Sequence, residues 1–161
     1  MTKLEVNKGE WKVTNDPDVT LYAKSLGSSI AIAVVDMNKK CVGLLVSPFL
    51  KQSLIEPEIQ EDDDKFYALD VGLKSMFKEI LSFGCKKEQL KIYLVGGAQF
   101  LEAPKILSIG TLLYQAVKKL LQKNGLTIFG EAVGGPINRS ITFNIAGDLV
   151  VKSAFSQEVA L

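Results

Sequence analysis

The chain of 161 residues contains no histidine. That absence removes imidazole, the usual proton shuttle near neutral pH and the commonest metal ligand, from whatever chemistry the protein performs. Cysteine is also scarce. Cys41 and Cys85 are the two present, and they match neither a metal-ligand spacing nor a disulfide framework. They suit a reducing compartment. No long hydrophobic run exists: the longest, from Ile30 to Val35, is far too short to span a bilayer. The opening "MTKLEVNKGEWKV" has charges where a secretory signal needs an apolar stretch. Nor is there an excess of one charge. Nineteen basic and eighteen acidic residues leave +1, without the clustered basic face of a nucleic-acid binder. These absences predict a cytoplasmic protein that is not membrane-inserted and does not bind nucleic acid. Nothing in the motifs calls for a metal or another cofactor.

What is present reads as a single domain over 1–161, long enough to bury a sizeable core. The first third is a series of short β-branched runs, "KLEV", "WKV", "VTLYAKSL", "SIAIAVVD" and "KCVGLLVS", separated by turn residues. Ile30, Ile32 and Val34 alternate with Ala31, Ala33 and Val35. Both faces of that strand are therefore apolar, which predicts a central strand covered on each side. A loop from Ser47 to Lys65 carries the acidic run Glu61 to Asp64, read as a solvated segment leading into a helix.

Two helices are predicted next, near 65–83 and 108–124. Phe66, Leu69, Leu73, Met76, Phe77, Ile80 and Leu81 form the apolar stripe of the first, which Gly84 stops. Ile109, Leu112, Leu113, Ala116, Val117, Leu120 and Leu121 form that of the second, ended by Asn124-Gly125. "QLKIYLVGGAQF" between them is a strand running into Gly96-Gly97. "LTIFGEAVGG", "RSITFNIAG" and "DLVVKSA" follow as three more strands, with a hairpin turn at Ala146-Gly147-Asp148. One apolar stripe per helix predicts an α+β fold with both helices on one side of a sheet.

The segment "LYAKSLGSSIAIAVVD" sets Ser29 in a tight turn at the edge of a strand, a common way to hold a nucleophile. Together with "GEWKVTNDP", "VGLLVSPFL", "KIYLVGGAQF", the "SIGTLLYQAVKKLLQKNGL" helix and "GEAVGGPINRSITFNIAGDLVV", it resembles the CheD family of chemoreceptor glutamine deamidases. The resemblance runs from about Gly9 to Ser153. It implies an α/β/β three-layer sandwich of the kind shared with cytotoxic necrotizing factor, and hydrolysis of receptor glutamines by a cysteine, a histidine and a threonine. It also implies two partners, the chemoreceptor cytoplasmic domain and a CheC-type phosphatase.

Carried over residue by residue, the resemblance puts those three catalytic positions at Ser29, Val46 and Ala23, none of which keeps the family's residue. The family's helix asparagine becomes Leu113, and its Gly-Arg pair becomes Asn138-Arg139. The glycines at 27, 96, 97, 110, 134 and 135 stay. The expected pocket comprises Gly27, Ser28, Ser29, Val46, Gly96, Gly97 and Arg139. With no intact catalytic set, the reading is a binding or regulatory module. The alternative is an active amidohydrolase with rearranged chemistry. It would use Ser29 with Lys12, Lys24 or Lys40 as base, or Cys41 in place of the nucleophile. A third reading keeps the fold as a scaffold for an unrelated role.

Overall fold

A computed structural model of the chain describes residues 2–47, 63–99, 109–153 and 158–161. In order the elements are β1 (Thr2–Glu5), β2 (Trp11–Thr14), β3 (Val19–Ala23), β4 (Ile30–Asp36) and β5 (Cys41–Ser47), then helix α1 (Asp63–Ser82). A 3₁₀ turn (Lys87–Gln89) leads to β6 (Lys91–Gly96), and helix α2 (Ile109–Lys123) follows. The chain closes with β7 (Ile128–Val133), β8 (Arg139–Asn144), β9 (Leu149–Ser153) and β10 (Glu158–Ala160).

Among the described residues ten strands make two five-stranded sheets, ordered β1-β3-β8-β9-β10 and β2-β5-β4-β6-β7. The second sheet is the middle layer. β4 lies at its centre between β5 and β6, antiparallel to both, with all seven residues buried. Its alternation splits the interior in two. Ile30, Ile32 and Val34 join the helix-side core with Leu69, Leu73, Met76 and Ile80 of α1 and Leu113, Val117 and Leu121 of α2. Ala31, Ala33 and Val35 join the core between the sheets, against Leu21, Ile141 and Phe143. Both helices thus pack on one face of the middle sheet. The result is the α+β, three-layer α/β/β arrangement: helices, middle sheet, outer sheet.

Small side chains on the inter-sheet face let the two sheets approach, while larger ones on the other face fill the wider gap beneath helices. α1 runs over β5 and β2, and α2 over β4. α2 ends in a Schellman turn. The Leu126 N–H donates to the Leu121 carbonyl and the Gly125 N–H to that of Gln122, with Gly125 at φ +71°.

Several boundaries differ from the sequence reading. The run "VTLYAKSL" stops pairing as β3 at Ala23, because Ser25 turns to φ +53° and leaves the extended region. β10 has three residues, too few for an alternating pattern to register. Leu81, expected on the buried stripe of α1, is 43% exposed. The loop expected at Ser47 to Lys65, including Glu61 and Asp62, lies almost wholly outside the described residues, as does the Phe66 side chain. The hairpin at Ala146 to Asp148 is present. Asn144 Oδ1 accepts from the Ala146 and Asp148 N–H groups, and Gly147 has φ +82°.

Candidate functional site

The turn that precedes β4 and the turn that follows β6 are zipped together. Because β4 and β6 pair with Ile30 opposite Gly96, the ladder continues one residue further, and the Gly97 N–H donates to the Ser29 carbonyl at 2.9 Å. The Ala98 N–H then donates to the Gly27 carbonyl at 2.9 Å. Gly96 is required by this closeness: it holds φ +117°, and a β-carbon there would overlap the Ser29 carbonyl oxygen. Gly110 meets the same turn from α2, where a β-carbon would overlap the carbonyl oxygens of Gly97 and Ala98.

β8 closes the knot from the outer sheet. Asn138 Oδ1 accepts from the Gly27 N–H at 2.8 Å, and the Arg139 carbonyl accepts from the Leu26 N–H. Arg139 Nη1 reaches across the layers to the Gly96 carbonyl at 3.2 Å. Burial lowers the guanidinium pKa from its ordinary value. Of the residues named from sequence, Ser29 is thus bonded directly to Gly97 and Arg139 to Gly96, while Gly27 is tied to the same knot through Ala98 and Asn138. Asn138 was recognised only as a departure from a pattern. Its side-chain bond to Gly27 depends on a pairing 111 residues distant, which no local signal carries.

Ser29 itself is completely buried, and its Oγ has no hydrogen-bond partner among the described residues. It precedes Ile30 and so falls on the side of the middle sheet that Ala31 occupies, toward the outer sheet. Val46 pairs directly opposite Ala31 and belongs to the same inter-sheet core, as does Ala23 on β3. Ala23 and Val46 share the wall of one open cleft of about 470 Å³ with Glu5, Asn7, Lys8, Lys24 and Ser25. Ser29, fully buried, does not line that cleft. Its backbone is held by Leu26 on one side and Gly97 on the other.

The alternative chemistry can be tested group by group. Lys12 Nζ donates to the Glu5 carbonyl and lies 3.8 Å from Glu10, while Lys24 lies 3.7 Å from Glu5. Neither bonds Ser29. Lys40 sits in the β4–β5 turn, separated from Ser29 by the full length of β4. At about 3.3 Å per residue that is roughly 20 Å. Cys41 is at the same remote end, paired opposite Asp36. Burial and the neighbouring Cys85 push its thiol up to about 12. Burial, with Asp36 beside it, also raises the Cys85 thiol. Thiols held so firmly protonated are poor nucleophiles at neutral pH.

The backbone donors of the turn are mostly committed as well. The Gly27 N–H is used by Asn138 and the Ser29 N–H by the Leu26 carbonyl, so neither is free to hold an oxyanion. Leu113, where the resemblance implied an asparagine, is buried in the helix-side core and takes no part in the site. Among the described residues no helix is long and apolar enough to cross a membrane.

Comparison with known proteins agrees with this geometry. Residues 50–153 match the family model described as CheD chemotactic sensory transduction. The "Chemoreceptor glutamine deamidase CheD" of Thermotoga maritima is 32% identical over 151 residues, covering 93% of this chain and 91% of that protein. The "Probable chemoreceptor glutamine deamidase CheD 2" of Geobacter metallireducens is 32% identical over 160 residues, covering 97% and 96%. A "Probable chemoreceptor glutamine deamidase CheD" of Solibacter usitatus is 28% identical over 145 residues, covering 90% and 85%. The match to the family model starts beyond Ser29 and Val46, whereas the similarity to these relatives extends over nearly the whole chain. The glycine knot, the three layers and these matches lead to one assignment: the chain belongs to the CheD family of chemotaxis proteins.

Proposed function

We propose that this chain is a cytoplasmic CheD-type protein that binds its chemotaxis partners without deamidating them. The carrying observation is the Ser29 hydroxyl, buried and without a hydrogen-bond partner, in a chain that has no imidazole. A serine hydroxyl is not ionised near pH 7 and acts as a nucleophile only when a positioned base removes its proton. The other two positions that the family resemblance makes catalytic hold Val46 and Ala23, which neither donate nor accept a proton.

What remains suits retention of a ligand. The cleft has an apolar floor at Ala23 and Val46 and a rim of mixed charge at Glu5, Lys8 and Lys24. Such a surface accepts an amphipathic helix, the form that a receptor cytoplasmic domain offers. A CheC-type phosphatase is the second partner that family membership suggests. In a serine protease stripped of its triad, binding and the oxyanion hole alone leave roughly 10³–10⁴ over the uncatalysed rate. That is too little for signalling by amide hydrolysis, and here two of the turn's N–H groups are already occupied.

The test is release of ammonia from a purified chemoreceptor cytoplasmic domain, with the one-dalton glutamine-to-glutamate change read by mass spectrometry. No release above background is expected, together with retention of the receptor domain in a pull-down. Ser29→Cys alone is expected to stay inactive, since the thiol still lacks a base. Ser29→Cys with Val46→His and Ala23→Thr is the variant in which activity would return. Release by the unaltered protein that Ser29→Ala abolishes would overturn the reading.

A further inference from the structure

The far side of the middle sheet carries an open groove of about 310 Å³ between the C-terminal half of α1 and the segment after α2. It lies in the helix layer, away from the glycine knot and the cleft at Ala23 and Val46. Phe77 and Leu81 form one wall, and Leu90 and Leu126 the other, over Leu73. Leu81 is 43% exposed, and Phe83 just beyond it is 39% exposed, although α1 has an apolar interior in which to bury such residues. Three lysines, Lys74, Lys78 and Lys87, edge the groove, and no carboxylate lines it. Lys74 is held by Asp70 at 3.2 Å, whereas Lys78 and Lys87 have no ion pair among the described residues.

We propose that this groove docks an acidic amphipathic helix from another protein. Its size accepts about two or three aliphatic side chains from one face of a helix, the usual mode of helix-in-groove recognition. The free lysines supply the complement to carboxylates flanking that apolar stripe. A second copy of this chain fits poorly. Two-fold pairing through the same patch would set Lys78 and Lys87 against their own copies. A bilayer surface fits poorly too, because the apolar side chains line a concavity and do not project from a convex face.

The experiment uses a fluorescein-labelled synthetic helix with leucine at every third or fourth position and glutamate elsewhere, followed by anisotropy with the full chain. The glutamate peptide is expected to bind with micromolar affinity. A peptide with the same leucines and lysine in place of glutamate should bind at least about tenfold more weakly. Lys78→Glu with Lys87→Glu should weaken the glutamate peptide about tenfold and remove its salt dependence, and Leu81→Asp should weaken it comparably. All three residues are at the surface, and circular dichroism with thermal unfolding confirms that each variant is folded. Equal affinity for both peptides, no binding of the glutamate peptide, or indifference to the substitutions would overturn the proposal. Binding to phosphatidylglycerol vesicles through the same lysines, with no peptide binding, would also overturn it. The chemotaxis reading stands or falls separately, because none of these residues touches the cleft or the knot.

Discussion

β4 has a nucleophile-type side chain near each end: Ser29 just before its first residue, and Cys41 paired with its last. Both are fully buried, in different surroundings. Ser29 has its backbone N–H and carbonyl bonded to Leu26 and Gly97, while its hydroxyl has no hydrogen-bond partner among the described residues. Cys41 is set in a small polar group with Cys85 and Asp36, and there burial and the nearby thiol and carboxylate hold its proton on. Position in a turn is not enough to make a nucleophile: the neighbours must stabilise the charged form, and at the thiol end they oppose it.

The strongest way to break this comparison is at the backbone of the knot. Gly96→Ala is expected to cost at least about 3 kcal/mol, because the new β-carbon overlaps the Ser29 carbonyl at a backbone angle that disfavours side chains. Denaturant unfolding would measure it. A cost below 1 kcal/mol would show that the two turns can part freely.

The thiol end is sharpened by alkali. Cys41 has a folded pKa of about 12 against an ordinary 9.0, so the folded state holds its proton longer than the unfolded one. Its stabilisation is therefore complete below pH 9 and declines through pH 12. By pH 10 about 1 kcal/mol is lost, and Cys41→Ala should flatten this part of the profile relative to the parent. Parallel pH profiles for the two proteins would mean that the thiol is not held protonated.

Two smaller effects separate the knot's backbone from its side chain. Gly27 has φ +55° with open space around it, so Gly27→Ala should cost about 1 kcal/mol from conformation alone, far less than Gly96→Ala. Ser29→Ala should change stability the other way. Removing an unpartnered buried hydroxyl relieves part of its desolvation cost, for a gain of about 0.5–1 kcal/mol in thermal or urea unfolding. A loss on Ser29→Ala would reveal a hydrogen bond and revive the case for a working nucleophile.

Much of the fold was legible in local pattern. The two-sided apolar alternation from Ile30 to Val35 identified the central strand, and the stripes through Leu73, Met76, Val117 and Leu121 put both helices on one face. Leu81 misled because a helical stripe cannot reveal where the neighbouring layer ends. At the site, Gly96 and Gly97 were legible as turn residues, but the reason for Gly96 is an oxygen 67 positions away in sequence. The lysines near the strands looked available by sequence distance. Lys12 and Lys24 were then found turned to Glu5, and Lys40 was at the other end of β4.

The sequence by itself determined which periodicities could be buried, where turns needed glycine, and that no imidazole exists to activate a hydroxyl. These follow from composition and from neighbours within one or two helical turns. Only the tertiary structure decided that Ser29 is fully buried and does not line the cleft at Ala23 and Val46, that Asn138 and Arg139 bind the knot from the side of the outer sheet, and that a lysine-edged groove opens between α1 and the segment after α2. The reason is register: which groups meet across layers depends on the pairing of strands far apart in the chain, and shifting that pairing by one residue turns every side chain to the opposite face.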